Sequence, residues 1–152
     1  MIHGLQLLKK MADTFTKEKR SQIMRAVKSK GNKSTEVKLV YLFKKYKIIG
    51  WRRNYKLFGN PDFVFPQKKI AVFADGCFWH GHSCRKIKPV DNRQYWDSKI
   101  KRNKKRDLFV NSILTTKGWR VIRIWECQIK KEKLSKIIIA MFNGMPYNTF
   151  NK

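Results

Sequence analysis

Up to residue 47 the apolar residues recur at helical spacing. Ile23, Met24 and Val27 fall on one side of a basic helix expected over residues 16–28. Ser34 or Thr35 is placed to cap a second helix over roughly residues 35–47. Its apolar positions Val37, Leu39, Val40, Leu42 and Phe43 are broad enough for burial on most sides. The period then changes. Residues 51–57 read as a strand, Gly59-Asn60-Pro61 as a turn, and residues 62–65 and 70–74 as two short apolar strands joined through Gln67-Lys68-Lys69. Asp91 or Asn92 opens a long helix over residues 93–116, closed by Gly118. Residues 119–125 (WRVIRIW) are continuously apolar at their centre, as in a buried sheet. A last helix is expected over residues 131–143, with Leu134, Ile137, Ile138, Met141 and Phe142 on one face and Gly144 and Pro146 ending it. This order predicts an α/β fold with a mixed central sheet flanked by helices.

Charge narrows the partners. The 152 residues carry 36 Lys+Arg against 10 Asp+Glu, a net +26. Such a chain binds a polyanion through phosphate contacts and counterion release. No stretch approaches the roughly 20 apolar residues of a spanning helix. No amphipathic helix pairs a broad apolar face with a wholly basic one. Nucleic acid is therefore favoured over a membrane. An apolar content of 42% and aromatics at 13% argue against a disordered chain. Residues 1–11 lack the ordered regions of a signal peptide, so reduced thiols and a cytoplasmic, nucleoid-associated protein are expected.

Residues 73–84, FADGCFWHGHSC, concentrate the chemistry. A structural zinc takes four Cys or His ligands. Cys77, Cys84 and Cys127 supply three, and either His80 or His82 completes the set, leaving the other spare. Cys127 directly follows the buried strand, so the fold can bring it to the loop.

In a basic chain with ten carboxylates each acid is informative. Asp62 and Asp75 would lie near one end of the sheet if their strands pair as a hairpin. Asp107 sits on the long helix among cations, and Glu36 near a helix start. A small acidic pocket on a basic surface is what metal-assisted phosphodiester cleavage requires. The plainer alternative is that these acids only cap helices or form surface ion pairs.

These features together resemble the very short patch repair endonuclease family. The resemblance is carried by Pro61-Asp62-Phe63-Val64, by Asp75-Gly76-Cys77-Phe78-Trp79-His80-Gly81-His82-Ser83-Cys84, by Asn103 with Arg106-Asp107, and by Gly118-Trp119-Arg120-Val121 with Trp125-Glu126-Cys127. It covers about residues 11–143. It implies a restriction-endonuclease-like core and Mg²⁺-dependent nicking of duplex DNA on the 5′ side of the thymine in T:G mismatches. It implies Asp62 as metal-binding aspartate, His80 as catalytic histidine, Asp107 as its support and Glu36 as an acid reaching the metal through water. It also implies Cys77, His82, Cys84 and Cys127 as zinc ligands. Phe78, Trp79 and Trp96 are implied to enter the base stack. Where some members have Thr-His, this chain has Ala74-Asp75. The carbonyl of Ala74 is expected at the metal, and Asp75 is expected to bind it as a further acid, the alternative being that it only caps the turn.

Residues 1–12 read as a leader or loose N-terminus, with Met11 an alternative start. Residues 13–145 read as one endonuclease domain and 146–152 as a tail. A monomer acting on mismatched double-stranded DNA is expected, with mismatch-repair proteins as further partners. The rival readings are a same-fold restriction or homing-type nuclease with another target, and a zinc-stabilised DNA-binding module without catalysis.

Overall fold

A computed structural model describes residues 33–84 and 92–132, together with residues 16, 18, 19, 22, 134, 138, 139 and 142. The chain divides at residue 32 into two units. In the first, Lys19 donates its backbone N–H to Thr16 Oγ1 at 3.3 Å. Residues 18, 19 and 22 are helical, while the rest of the helix expected over 16–28 lies outside the described residues, as do residues 1–12 and 146–152.

The second unit opens with a π-helical turn, Lys33–Val37, that runs into helix α1, Lys38–Lys45. Leu39, Leu42 and Phe43 are its buried stripe. Three strands follow in the order β1 (Phe63–Phe65), β2 (Ile70–Asp75) and β3 (Arg120–Trp125). A 3₁₀ turn, Pro66–Lys68, joins β1 to β2 antiparallel, with Phe63 opposite Val72. Helix α2, Arg93–Thr116, crosses over so that β3 pairs β2 in parallel, with Asp75 beside Trp125. The sheet is thus mixed, as a hairpin plus a crossover must make it. At the end of α2 Gly118 turns at φ +76°, and Trp119 donates back to Leu114 O at 2.9 Å, closing the helix.

The two sheet faces have different cores. Ile70, Val72, Ile122 and Ile124 point to the face covered by α1, where Phe43 meets Phe63 and Phe65 edge-to-face. Ala71 and Phe73 point the other way, against Val110 and Leu114 of α2. That alternation decides which side chains of β2 and β3 face the long helix.

Two expectations need correction. Residues 51–57 do not form a strand: they make one bridge, Arg52 to Val64, through hydrogen bonds of 2.8 and 2.9 Å. Asn54 adopts φ +53°, which turns the backbone out of the pairing direction two residues later. After β3 the chain does not wait until residue 131 to become helical. A short helix, α3 (Glu126–Lys130), starts at once and stops where Glu132 takes φ +53°. The helix expected over 131–143 lies mostly outside the described residues, but Leu134 and Phe142 are buried in the α1-side core.

Candidate active site and metal centre

The hairpin brings Asp62 and Asp75 to the same end of the sheet. Asp62 stands just before β1, and one of its carboxylate oxygens accepts the N–H of Ala74 at 2.7 Å. The carboxylate replaces the carbonyl that a longer β1 would have offered. Burial pushes the Asp62 carboxyl up to about 6; the Ala74 N–H opposes this, while Glu36 and Asp75 add to it. Glu36 is buried in the π-helical turn and forms an ion pair with Arg53. A half-buried carboxylate facing other acids is poised for a cation, and the Ala74 segment lies against it.

His80 and Asp107 meet across the gap between the Cys/His loop and α2. The Nδ1 of His80 donates to Asp107 Oδ2 at 2.5 Å, which leaves Nε2 directed toward Asp75, 3.8 Å from its Oδ1. Among the described residues, Asp75, His80 and Asp107 form one of two clusters whose donor atoms lie close enough to hold a metal ion. Asp75 also pairs with Arg123, whose Nη1 donates to both of its oxygens, at 3.0 and 2.7 Å.

The other cluster is Cys77, His82, Cys84 and Cys127, with donor atoms all within 4.8 Å of one another. The loop folds on itself through His82 N–H to Cys77 O at 2.9 Å. Cys127, in the first turn of α3, donates its backbone N–H to Cys77 Sγ at 3.3 Å, and its Sγ lies 3.7 Å from His82 Nδ1. The His82 ring stacks on Trp125, with centroids 4.3 Å apart. Burial pushes the Cys77 thiol up to about 12, and a cation bound at the site would favour the thiolate over the thiol. The four atoms could hold a metal, and the set is suited to one that prefers sulfur and nitrogen.

Phe78, Trp79 and Trp96 touch one another edge-to-face at 5.2 to 5.8 Å, and none is fully buried. Tyr95 extends the group, and the Lys99 ammonium lies over three of the rings. The aromatic side of the loop is therefore partly exposed and basic. Helix α2 carries it. Asn103 donates to Trp79 O at 2.8 Å, and Gly81, at φ +62°, packs so closely on Ile100 that a Cβ would sit 2.6 Å from its Cγ2. Positions 96, 100, 103 and 107 recur every three or four residues, so one helix face supports both metal-capable clusters.

The sequence brought Asp62, Ala74, Asp75, His80 and Asp107 together, and likewise the four Cys/His positions. It missed Arg123 and Arg53, and it singled out Asn103 only through the resemblance, without its contact to the loop. The sequence offered little signal for Arg123, since WRVIRIW carries two arginines, Arg120 and Arg123, and periodicity alone does not say which one points inward.

Comparison with known proteins places the chain among DNA endonucleases. The family described as "DNA mismatch endonuclease Vsr" matches residues 12–86. A type II nicking enzyme of Neisseria meningitidis serogroup A is 37% identical over 135 residues, covering 84% of this chain and 95% of that protein. The DNA mismatch endonuclease Vsr of Escherichia coli K12 is 36% identical over 127 residues, 82% and 81% of the two chains. A type II nicking enzyme of Haemophilus parainfluenzae is 40% identical over 130 residues, 81% and 90%.

Proposed function

This chain belongs to the family of the DNA mismatch endonuclease Vsr, and from that footing we propose that it nicks duplex DNA by Mg²⁺-dependent phosphodiester hydrolysis. The proposed substrate is a T:G mismatch left by deamination of 5-methylcytosine, cut on the 5′ side of the thymine to begin very short patch repair. The proposed core is restriction-endonuclease-like. One observation carries the reading: Asp62 lies against Ala74 while the neighbouring residue, Asp75, lies beside the Nε2 of a histidine oriented by Asp107.

Asp62 and the carbonyl of Ala74 would hold Mg²⁺, with Glu36 reaching it through water. When bound, the ion would supply positive charge to the scissile phosphate and a more acidic water. His80 keeps the proton on Nδ1 through Asp107, so Nε2 is the nitrogen that takes a proton from the attacking water. Cys77, His82, Cys84 and Cys127 would hold a structural Zn²⁺ that ties the loop to the start of α3. Phe78, Trp79 and Trp96 would enter the base stack, a step that costs less at a mispaired base. The protein would act as a monomer in the bacterial cytoplasm, beside mismatch-repair proteins. Among the described residues no helix is long and apolar enough to cross a membrane.

The test is a nicking assay on matched and T:G duplexes. A single nick 5′ of the mispaired thymine is expected with Mg²⁺ and none with EDTA. Equal cutting of matched DNA would favour a restriction or homing-type nuclease, and binding without cutting a non-catalytic module. Asp62→Ala should abolish nicking and preserve mismatch binding.

A further inference from the structure

Arg123 is the unexpected residue of β3. Its side chain is 15% exposed, between the buried Ile122 and Ile124. Strand alternation turns it away from their core and toward α2, where it stands in register with Phe73. Its guanidinium carbon lies 4.5 Å from the centre of that ring. Each nitrogen is used. Nε donates to Asn111 Oδ1 at 3.1 Å, and Nη1 donates to both oxygens of Asp75. Nη2 pairs with Asp107 Oδ1 at 3.3 Å, while the other oxygen of Asp107 holds His80 Nδ1. A single planar cation thus joins strand β2, helix α2 and the loop that carries His80. A lysine has no rigid fork and could not span the same partners.

We propose that Arg123 is a positioning residue for the nicking reaction: it fixes Asp107 on Nδ1 of His80 and keeps Asp75 as its counter-ion rather than as a metal ligand. The arrangement follows from two charges of opposite sign appearing together in one chain. Asp75 without Arg123 would be a second buried acid beside Asp107. Arg123 without Asp75 would be a buried cation with half its partners. The consequence for catalysis is geometric. Asp107 is itself on a helix, and its carboxylate would rotate freely about its own side chain if only His80 held it. The second grip from Nη2 fixes its plane, and with it the imidazole.

The kinetic part of this proposal rests on the endonuclease reading; the spectroscopic part does not. Zinc-loaded Arg123→Met, Arg123→Lys and Asp75→Asn are compared with the parent protein. Single-turnover nicking of a T:G duplex is followed across Mg²⁺ concentrations, and the ring nitrogens of His80 are followed by NMR without Mg²⁺. Arg123→Met should lower the saturating rate about 100-fold, as a misplaced general base does. The half-saturating Mg²⁺ and the affinity for DNA should stay within about twofold of the parent values. The His80 signal should change from a single Nδ1–H tautomer to an exchanging pair. Arg123→Lys and Asp75→Asn should each lose about tenfold in saturating rate, with unchanged Mg²⁺ dependence. If Arg123→Met does not fold, these two variants carry the test. The proposal is overturned if Asp75→Asn raises the half-saturating Mg²⁺ tenfold or more and regains full rate at high Mg²⁺, because Asp75 is then a ligand. It is equally overturned if the His80 tautomer is unmoved by loss of the guanidinium. A parent protein that cuts no DNA would end the endonuclease reading, while the His80 spectrum would still decide the clamp.

Discussion

Asp62 sits where its own charge is disfavoured. Its carboxyl is held near 6 instead of 3.8, mainly by burial, with Glu36 and Asp75 adding to the effect. The folded protein therefore binds that proton more tightly than the unfolded chain. The stabilisation is complete below about pH 3.8, fades as pH rises through about 6, and above that the buried charge is a liability. Asp62→Asn keeps an oxygen for the Ala74 N–H and removes the charge. In metal-free buffer at pH 8 it should stabilise the fold by about 1–3 kcal/mol, a range discounted for the partial exposure of the carboxyl. The gain should vanish below pH 4. Urea unfolding of the two proteins at pH 8 and at pH 3.5 decides it, and equal midpoints at pH 8 would refute the account. A residue that costs stability and remains in place is behaving as functional residues do. This residue was legible in the sequence, because Pro-Asp before an apolar strand places an acid where an acid is expensive. Arg123 was not: one arginine among 36 cations has no contrast until the sheet register shows that it points inward.

At the scale of elements, the Cys/His loop owes its shape to what surrounds it more than to its own backbone. It is anchored on one side by α2 and on the other by the first turn of α3, and the two anchors can be tested apart. Gly81→Ala forces a side chain into φ +62° and toward Ile100 Cγ2, a helix residue that cannot withdraw. A loss of about 1–3 kcal/mol is expected, with zinc retained. Cys127→Ser removes a candidate ligand from the α3 side. It should abolish binding of about one zinc per chain and cost several kcal/mol, since metal affinity in such a site is folding energy. Elemental analysis beside thermal unfolding separates the two cases. A zinc-free parent protein, as stable as the variant, would remove the structural metal site from the account. The cluster itself was readable from residue types, because four sulfur and nitrogen donors do not gather by chance. The loop's support was not readable. It depends on Asn103 and Ile100 lying one turn apart on α2, and the sequence shows that stretch as a run of lysines and arginines. The expected strand over 51–57 failed for a similar reason: a left-handed Asn54 is a local backbone event with no signature in hydrophobic periodicity.

For the whole molecule the net charge of +26 says that nucleic acid binds, but not where. Helix α2 gives a direction. Its face at positions 96, 100, 103 and 107 is occupied by the loop and the catalytic candidates. Tyr95, Lys99, Arg102 and Arg106 recur at i, i+4, i+7 and i+11, which makes one stripe beside that face. Lys99 already lies over the rings of Trp79, Tyr95 and Trp96, so this stripe and the aromatic group share a side. Lys101 and Lys105 fall on the opposite side of the helix. If DNA enters over the aromatics, the stripe meets phosphates and the opposite pair remains solvated. Each phosphate contact contributes about −0.9 to the slope of log K against log salt. Arg102→Ala with Arg106→Ala should therefore reduce the magnitude of the slope by about 1–2 and weaken binding to matched and mismatched duplexes alike. Lys101→Ala with Lys105→Ala should leave the slope within about 0.3 of the parent value. Binding isotherms on one T:G duplex at four or five salt concentrations measure both. Equal slopes for the two pairs would mean that the helix acts only as diffuse charge, and the aromatic side would lose its claim to be the face that DNA meets.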